Sequence, residues 1–254
     1  MKNKIIILFF AIVFSVQVRA QEYRIAKNTG RLELNIGRVT VEGHDGSNII
    51  FSSKDNKSEK DERADGLRLI NSLGLEDNTG LGIHVTDKGS VVEVRQLKQT
   101  HSPDIKVLVP KGVIVSFKYD SQYGGNARFV NLTNEIEVSA VYNSVELDQV
   151  TGPVTVQTSY GSVTGNFTPP IKDPVSIVSI YGFIDVTIPQ STKANLKLST
   201  SYGDIFVAPE LDIQTETKNG MNVYSDKISG TLNGGGGINM DLTCAYGKIY
   251  LRKK

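Results

Sequence analysis

The chain has a single cysteine, Cys244, so no intramolecular disulfide can form and stability has to come from packing and backbone hydrogen bonding. Histidine is scarce too. His44, His84 and His101 are scattered through the amino-terminal part, in no spacing that makes a zinc site, and each reads as a surface or turn residue. Charge of one sign is also lacking. If Lys2, Lys4 and Arg19 leave with an amino-terminal leader, the 28 basic residues fall by these three to 25 against 27 acidic, a formal charge of −2. So balanced a chain offers no electrostatic footprint for nucleic acid or an anionic membrane. After Val16 no apolar run approaches the roughly 20 residues that a spanning helix needs.

Catalytic signatures are missing as well. Gly161-Ser162-Val163-Thr164-Gly165 has Val where the serine of a nucleophile elbow would sit. Gly234 to Gly237 lack the following Lys-Ser/Thr of a phosphate loop. As a calcium-binding nonapeptide the same run fails, since Asn239 stands where the ligand Asp belongs and no tandem copy exists. Asp185 and Asp204 are expected in adjacent coils, but four and two residues past their tyrosines they share no column, so no acid pair for glycoside cleavage forms. The chain reads as a non-enzyme without cofactor or metal.

What is present begins with Met1-Lys2-Asn3-Lys4, an apolar run from Ile5 to Val16, and Val18-Arg19-Ala20. This predicts a signal peptide over 1–20 with cleavage after Ala20, hence export to the periplasm, the cell surface or the medium. No Cys follows the run, which argues against a lipoprotein anchor. Residues 21–254 are long enough for one large all-β domain, and no Pro, Gly and Ser linker divides them. From 21 to 110 the pattern is irregular: Leu32-Glu33-Leu34-Asn35-Ile36 alternates, Val39 to Ile50 looks like one coil or hairpin, and Ile105 to Pro110 is a strand closed by proline. The charged stretch Lys54 to Asp65 reads as a solvated loop, with a short helix as the alternative.

From 111 to 254 the chain is regular. Tyr-Gly recurs at Tyr160-Gly161, Tyr181-Gly182, Tyr202-Gly203 and Tyr246-Gly247, with Tyr142-Asn143 as a variant. The spacings are 18, 21, 21 and 44 residues, a period that signals stacked supersecondary units. Six residues before each Tyr stand Ile136, Val154, Val175, Leu196 and Met240, and four before stand Val138, Val156, Ile177, Leu198 and Leu242. Two before are the small residues Ala140, Thr158, Ser179, Thr200 and Cys244. The columns between are mostly polar, so each unit opens with a strand that buries one face. Past the Tyr the aliphatic residue comes three later, at Val145, Val163, Ile184, Ile205 and Ile249. That odd step demands a bend, for which a glycine at positive φ, or Asn143, is the expected corner. Coils of about 20 residues suit a parallel β-solenoid, with an antiparallel β-meander or sandwich as the alternative. Sparse hairpin signals favour the solenoid.

Units such as Val154-Thr155-Val156-Gln157-Thr158-Ser159-Tyr160-Gly161-Ser162-Val163, the strand ending Val109-Pro110, the opening Gly37-Arg38-Val39-Thr40-Val41-Glu42-Gly43, and Ile228-Ser229-Gly230-Thr231-Leu232 leading to Tyr246-Gly247-Lys248-Ile249 resemble the bacterial "putative-adhesin" family of exported repetitive β domains. The resemblance implies a β-helix-like fold in the cell envelope and supplies no binding residues.

The tyrosines have two readings. Their rings could stack on sugars or a protein partner, or, sharing parity with the apolar columns, pack inward over the corner; parity favours the second. Cys244 then reads as a buried apolar filler. The outward aromatics Phe183, Phe206 and Tyr250 are the candidate interaction patch. The expected function is a non-enzymatic envelope adhesin or scaffold, its partner a protein or glycan at the cell surface. The alternative is a carbohydrate-binding or carbohydrate-active β-helix protein. A third reading is self-association, since solenoid ends expose strand edges.

Overall fold

A computed structural model describes residues 21–53, 62–64, 66–215 and 227–254. The expected signal peptide over 1–20 and most of the charged stretch lie outside the described residues.

In Val154–Thr158 and Val175–Ser179 every second side chain is buried, as the apolar columns require. After the Tyr-Gly bend the strands Val163–Phe167 and Ile184–Ile188 resume the alternation on a second sheet. Each unit thus gives one strand to each sheet. Among the described residues the fold is all-β, a ten-stranded and an eleven-stranded mixed sheet whose buried columns meet in one core.

Neighbouring Tyr-Gly units pair in parallel, and the aligned columns are the observed registers. Ile136, Val154, Val175, Met240 and Leu196 are successive partners in one sheet. Val145, Val163, Ile184, Ile249 and Ile205 are successive partners in the other.

The order of units is not the order of the sequence. The last unit, Ile238–Cys244 with Ile249–Lys253, lies between the unit of Val175–Ser179 and that of Ala194–Thr200. The first behaves the same way. Thr29–Asn35 sits between Val91–Gln96 and Gly112–Tyr119, and Val39–His44 between Ile105–Pro110 and Asn126–Val130. Two expectations are corrected by this. Asp185 and Asp204 are not in adjacent coils, because Tyr250 pairs with Asp185 on one side and Phe206 on the other. Val39 to Ile50 is not a hairpin, because Ile105–Pro110 separates Val39–His44 from Ile49–Ser53.

Antiparallel strands flank the stack. Ile49–Ser53 and Glu22–Ile25 extend one sheet and Ile83–Asp87 the other. At the opposite end Lys227–Leu232 and Ile213–Thr215 cover the eleven-stranded sheet. The inserted first unit is also pinned from outside: Arg31 Nη2 donates to Glu137 Oε1 at 2.9 Å, reaching across the intervening strand Gly112–Tyr119. That hydrogen bond holds the Glu137 carboxyl below its ordinary range.

Candidate functional site

The corner is built first from the small column. Gly161 N–H donates to Thr158 Oγ1 at 3.1 Å, and that hydroxyl donates to Asn143 O at 3.3 Å. One unit on, Gly182 N–H donates to Ser179 Oγ and Ser179 Oγ to Gly161 O, both at 3.1 Å. Cys244 Sγ donates to Gly182 O at 3.1 Å, and Thr200 Oγ1 to Gly247 O at 3.3 Å. The column is therefore a polar ladder that satisfies the corner backbone. Cys244 is more than the expected apolar filler: fully buried, it occupies a hydroxyl's place as a weak donor. Burial pushes its thiol up, against a smaller downward pull from Gly247 N–H, so it stays protonated and unreactive at neutral pH.

The corner glycines do a different job from the one expected. Gly161, Gly182, Gly203 and Gly247 do not have positive φ. They are needed because backbones of successive units nearly touch there: a Cβ on Gly247 would lie 1.8 Å from Gly182 O, and one on Gly203 1.8 Å from Gly247 O. Asn143 is likewise not in the left-handed region. It is fully buried, and its Nδ2 donates to Gly37 O at 2.7 Å and Gly125 O at 2.9 Å, joining its unit to two others.

The inward reading of the tyrosines is overturned. Tyr142, Tyr160, Tyr181, Tyr202 and Tyr246 are 47% to 74% exposed. Each stands in the bend, outside any strand, so strand parity no longer fixes its direction, and the interior beside it is filled by the hydroxyl ladder and the packed backbones. The rings stack on one another outside the sheets. Centroids are 5.2 Å apart for Tyr142 and Tyr160, 5.0 Å for Tyr160 and Tyr181, and 4.9 Å for Tyr181 and Tyr246 and for Tyr246 and Tyr202, all within 11° of parallel. Neighbouring units thus gain about 0.5–1.5 kcal/mol per ring pair. Inside the row the ring faces cover each other and present their edges to solvent.

The three outward aromatics are brought together by the inserted last unit. Tyr250 meets Phe183 edge-on at 6.5 Å and stacks on Phe206 at 5.3 Å. Phe183 and Phe206 are exposed, Tyr250 half-buried. The Arg252 guanidinium lies 5.3 Å from the Tyr250 ring and Lys248 Nζ 5.6 Å from the Phe206 ring, both within cation–π range. A hollow of about 490 Å³ opens beside them, bounded by Phe206, Pro209, Tyr250 and Arg252. Separate from this surface, Leu67, Leu69, Ile70 and Leu73 are exposed on a turn organised by Asn71, whose Oδ1 accepts from the N–H of Leu73 and Leu75.

His44 closes a turn, Nε2 donating to Asn48 O and Nδ1 accepting from Gly46 N–H. His84 Nδ1 donates to Glu76 O at 2.7 Å, and His101 is exposed. Among the described residues no three His, Cys, Asp or Glu side chains converge as metal ligands.

Two solved structures are similar to the chain over most of its length. One, from Clostridium sporogenes, is described as a "putative cell adhesion protein"; it is 13% identical, with a TM-score of 0.47, over 93% of this chain and 100% of its own. The other, from Bacteroides fragilis, is described as a "putative adhesin"; it is 9% identical, with a TM-score of 0.37, over 92% of this chain and 97% of its own. No family model and no curated protein matches the chain.

Proposed function

We propose that residues 21–254 form one exported β-solenoid, irregular over 21–110 and regular over 111–254, that presents its outer face as an adhesin or scaffold in the bacterial envelope and catalyses no reaction. The parallel registers of the Tyr-Gly units support the architecture. The observation that carries the functional reading is the outward aromatic cluster in which Tyr250 joins the exposed rings of Phe183 and Phe206. Nothing in the packing of the core requires Phe183 or Phe206 to be aromatic, and exposed aromatic area on this scale marks a surface that meets a partner. Its partner is a protein or a glycan at a cell surface.

The test is attachment of beads coated with residues 21–254 to intact bacterial or host cells. The triple variant Phe183→Ala, Phe206→Ala, Tyr250→Ala is expected to lose attachment by about tenfold or more, as removal of aromatic anchors does at other interfaces, while still unfolding in one cooperative transition at a melting temperature lowered only by the two lost ring contacts. Equal attachment by parent and variant would overturn the assignment of the patch. A glycan array run with the same pair separates a sugar partner from a protein one.

A further inference from the structure

The outer face of the ten-stranded sheet is not level. Along Val163–Phe167 and just before it the outward side chains are short, Ser162, Thr164 and Asn166, while the strands on either side raise Glu146 and Asp148, and Phe183 and Asp185. The consequence is a trench. Two hollows of about 210 Å³ and 360 Å³ share Glu146 and Thr164 and run the length of this strand. Its walls stand two strand spacings apart, about 10 Å, room for a pyranose ring set on edge.

We infer that this trench is a subsite for a neutral oligosaccharide, with the Phe183 ring as the surface on which one pyranose stacks. The inference rests on the surface-binding reading above and names the chemistry of its partner. At the corner end the trench offers the exposed Phe183 ring beside the hydroxyls of Ser144 and Ser162 and the amide of Asn126. Towards the far end it offers carboxylates already oriented by arginine. Arg128 Nε lies 3.1 Å from Glu146 Oε1 and its Nη2 3.4 Å from Asp148 Oδ2, while Arg252 Nε and Nη2 donate to Asp185 at 2.6 and 2.9 Å.

Carboxylates so held present acceptor oxygens to the hydroxyl donors of a sugar. Because both guanidiniums are engaged, the walls hold no spare cation for a phosphate or sulfate. An added peptide strand is disfavoured for a separate reason: Val163–Phe167 is paired on both sides, with Ser144–Val150 and Ile184–Ile188, and has no free backbone edge to extend. One ring face, several hydroxyl and amide groups, and walls that carry one more carboxylate than guanidinium describe a site for a neutral pyranose chain.

The probes are cellotriose, chitotriose and maltotriose, titrated at millimolar concentration into isotope-labelled residues 21–254 and followed by amide NMR shifts. At least one is expected to shift Ser162, Thr164 and Phe183. Phe183→Ala should weaken that binding about tenfold. Thr164→Tyr, at an exposed strand position that accepts an aromatic, should fill the trench and abolish binding while the melting temperature holds, and Thr155→Ala, exposed on the eleven-stranded sheet away from the trench, should leave binding unchanged. No shift at these amides with any of the three sugars, or binding that survives Thr164→Tyr, overturns the inference. Cell attachment that persists in the absence of sugar binding overturns the trench and leaves the surface reading standing. Sugar binding without cell attachment does the reverse.

Discussion

Gly247→Ala destabilises the protein by at least about 3 kcal/mol, more than an ordinary overpacked side chain costs. The added Cβ would lie 1.8 Å from the carbonyl oxygen of Gly182, a contact of backbone on backbone that no rotamer change relieves. Relief means separating the two units, which strains the bond from Ile184 N–H to Lys248 O at 2.9 Å and the thiol contact from Cys244 to Gly182 O. Gly234→Ala is the comparison. Gly234 has φ of +80° and nothing within 4 Å of an added Cβ, so its cost is the left-handed penalty alone, about 1–2 kcal/mol. Urea unfolding of the two variants checks the ranking. A larger loss for Gly234→Ala would mean that close approach is not what the corner glycines serve.

Deleting residues 238–254 abolishes cooperative folding of the carboxy-terminal half. In a repeat protein whose units follow the sequence, loss of the last unit removes one interface. Here it removes two, because Ile238–Cys244 pairs with both Val175–Ser179 and Ala194–Thr200, and Ile249–Lys253 with both Ile184–Ile188 and Ile205–Val207. Met240, Leu242, Cys244, Ile249 and Leu251 are each at most 1% exposed. At about 1.5–3 kcal/mol per buried aliphatic side chain, the loss is on the order of 10 kcal/mol, comparable with the whole stability of a domain. Limited proteolysis with mass spectrometry reads the outcome: cuts are expected from about Val175 onward. A deletion protein that resists protease up to Val207 would contradict the inserted order.

The registers were legible in the sequence because each column is a ladder of like residues: Ile136, Val154 and Val175 align by eye and pair in space. That same likeness hides the order of units. Met240 fits beside Val175 as well as beside Leu196, and in the structure it lies beside both. The clue was on the outward rows. Lys197 faces Asp241 at 2.9 Å, Asn195 faces Asn239 at 3.1 Å, and Arg252 reaches Asp185, complementary pairs that only the inserted order produces. Phe183, Phe206 and Tyr250 were readable as outward by parity, whereas their meeting depended on that order. The tyrosines were misread because parity was carried through a bend where the backbone no longer alternates. Asn143 was misread because a buried side chain bridging Gly37 and Gly125 requires partners from distant parts of the chain, one of them 106 residues away.

The inserted unit builds an exterior tyrosine row in which Tyr246 separates Tyr181 from Tyr202. Double-mutant cycles on unfolding free energy, with alanine at Tyr181 and Tyr246 and at Tyr181 and Tyr202, measure this directly. Rings 4.9 Å apart predict a coupling of about 0.5–1.5 kcal/mol for Tyr181 with Tyr246, and none for Tyr181 with Tyr202. Coupling between Tyr181 and Tyr202, with none to Tyr246, would restore the order of the sequence and contradict the inserted unit on which the aromatic surface depends.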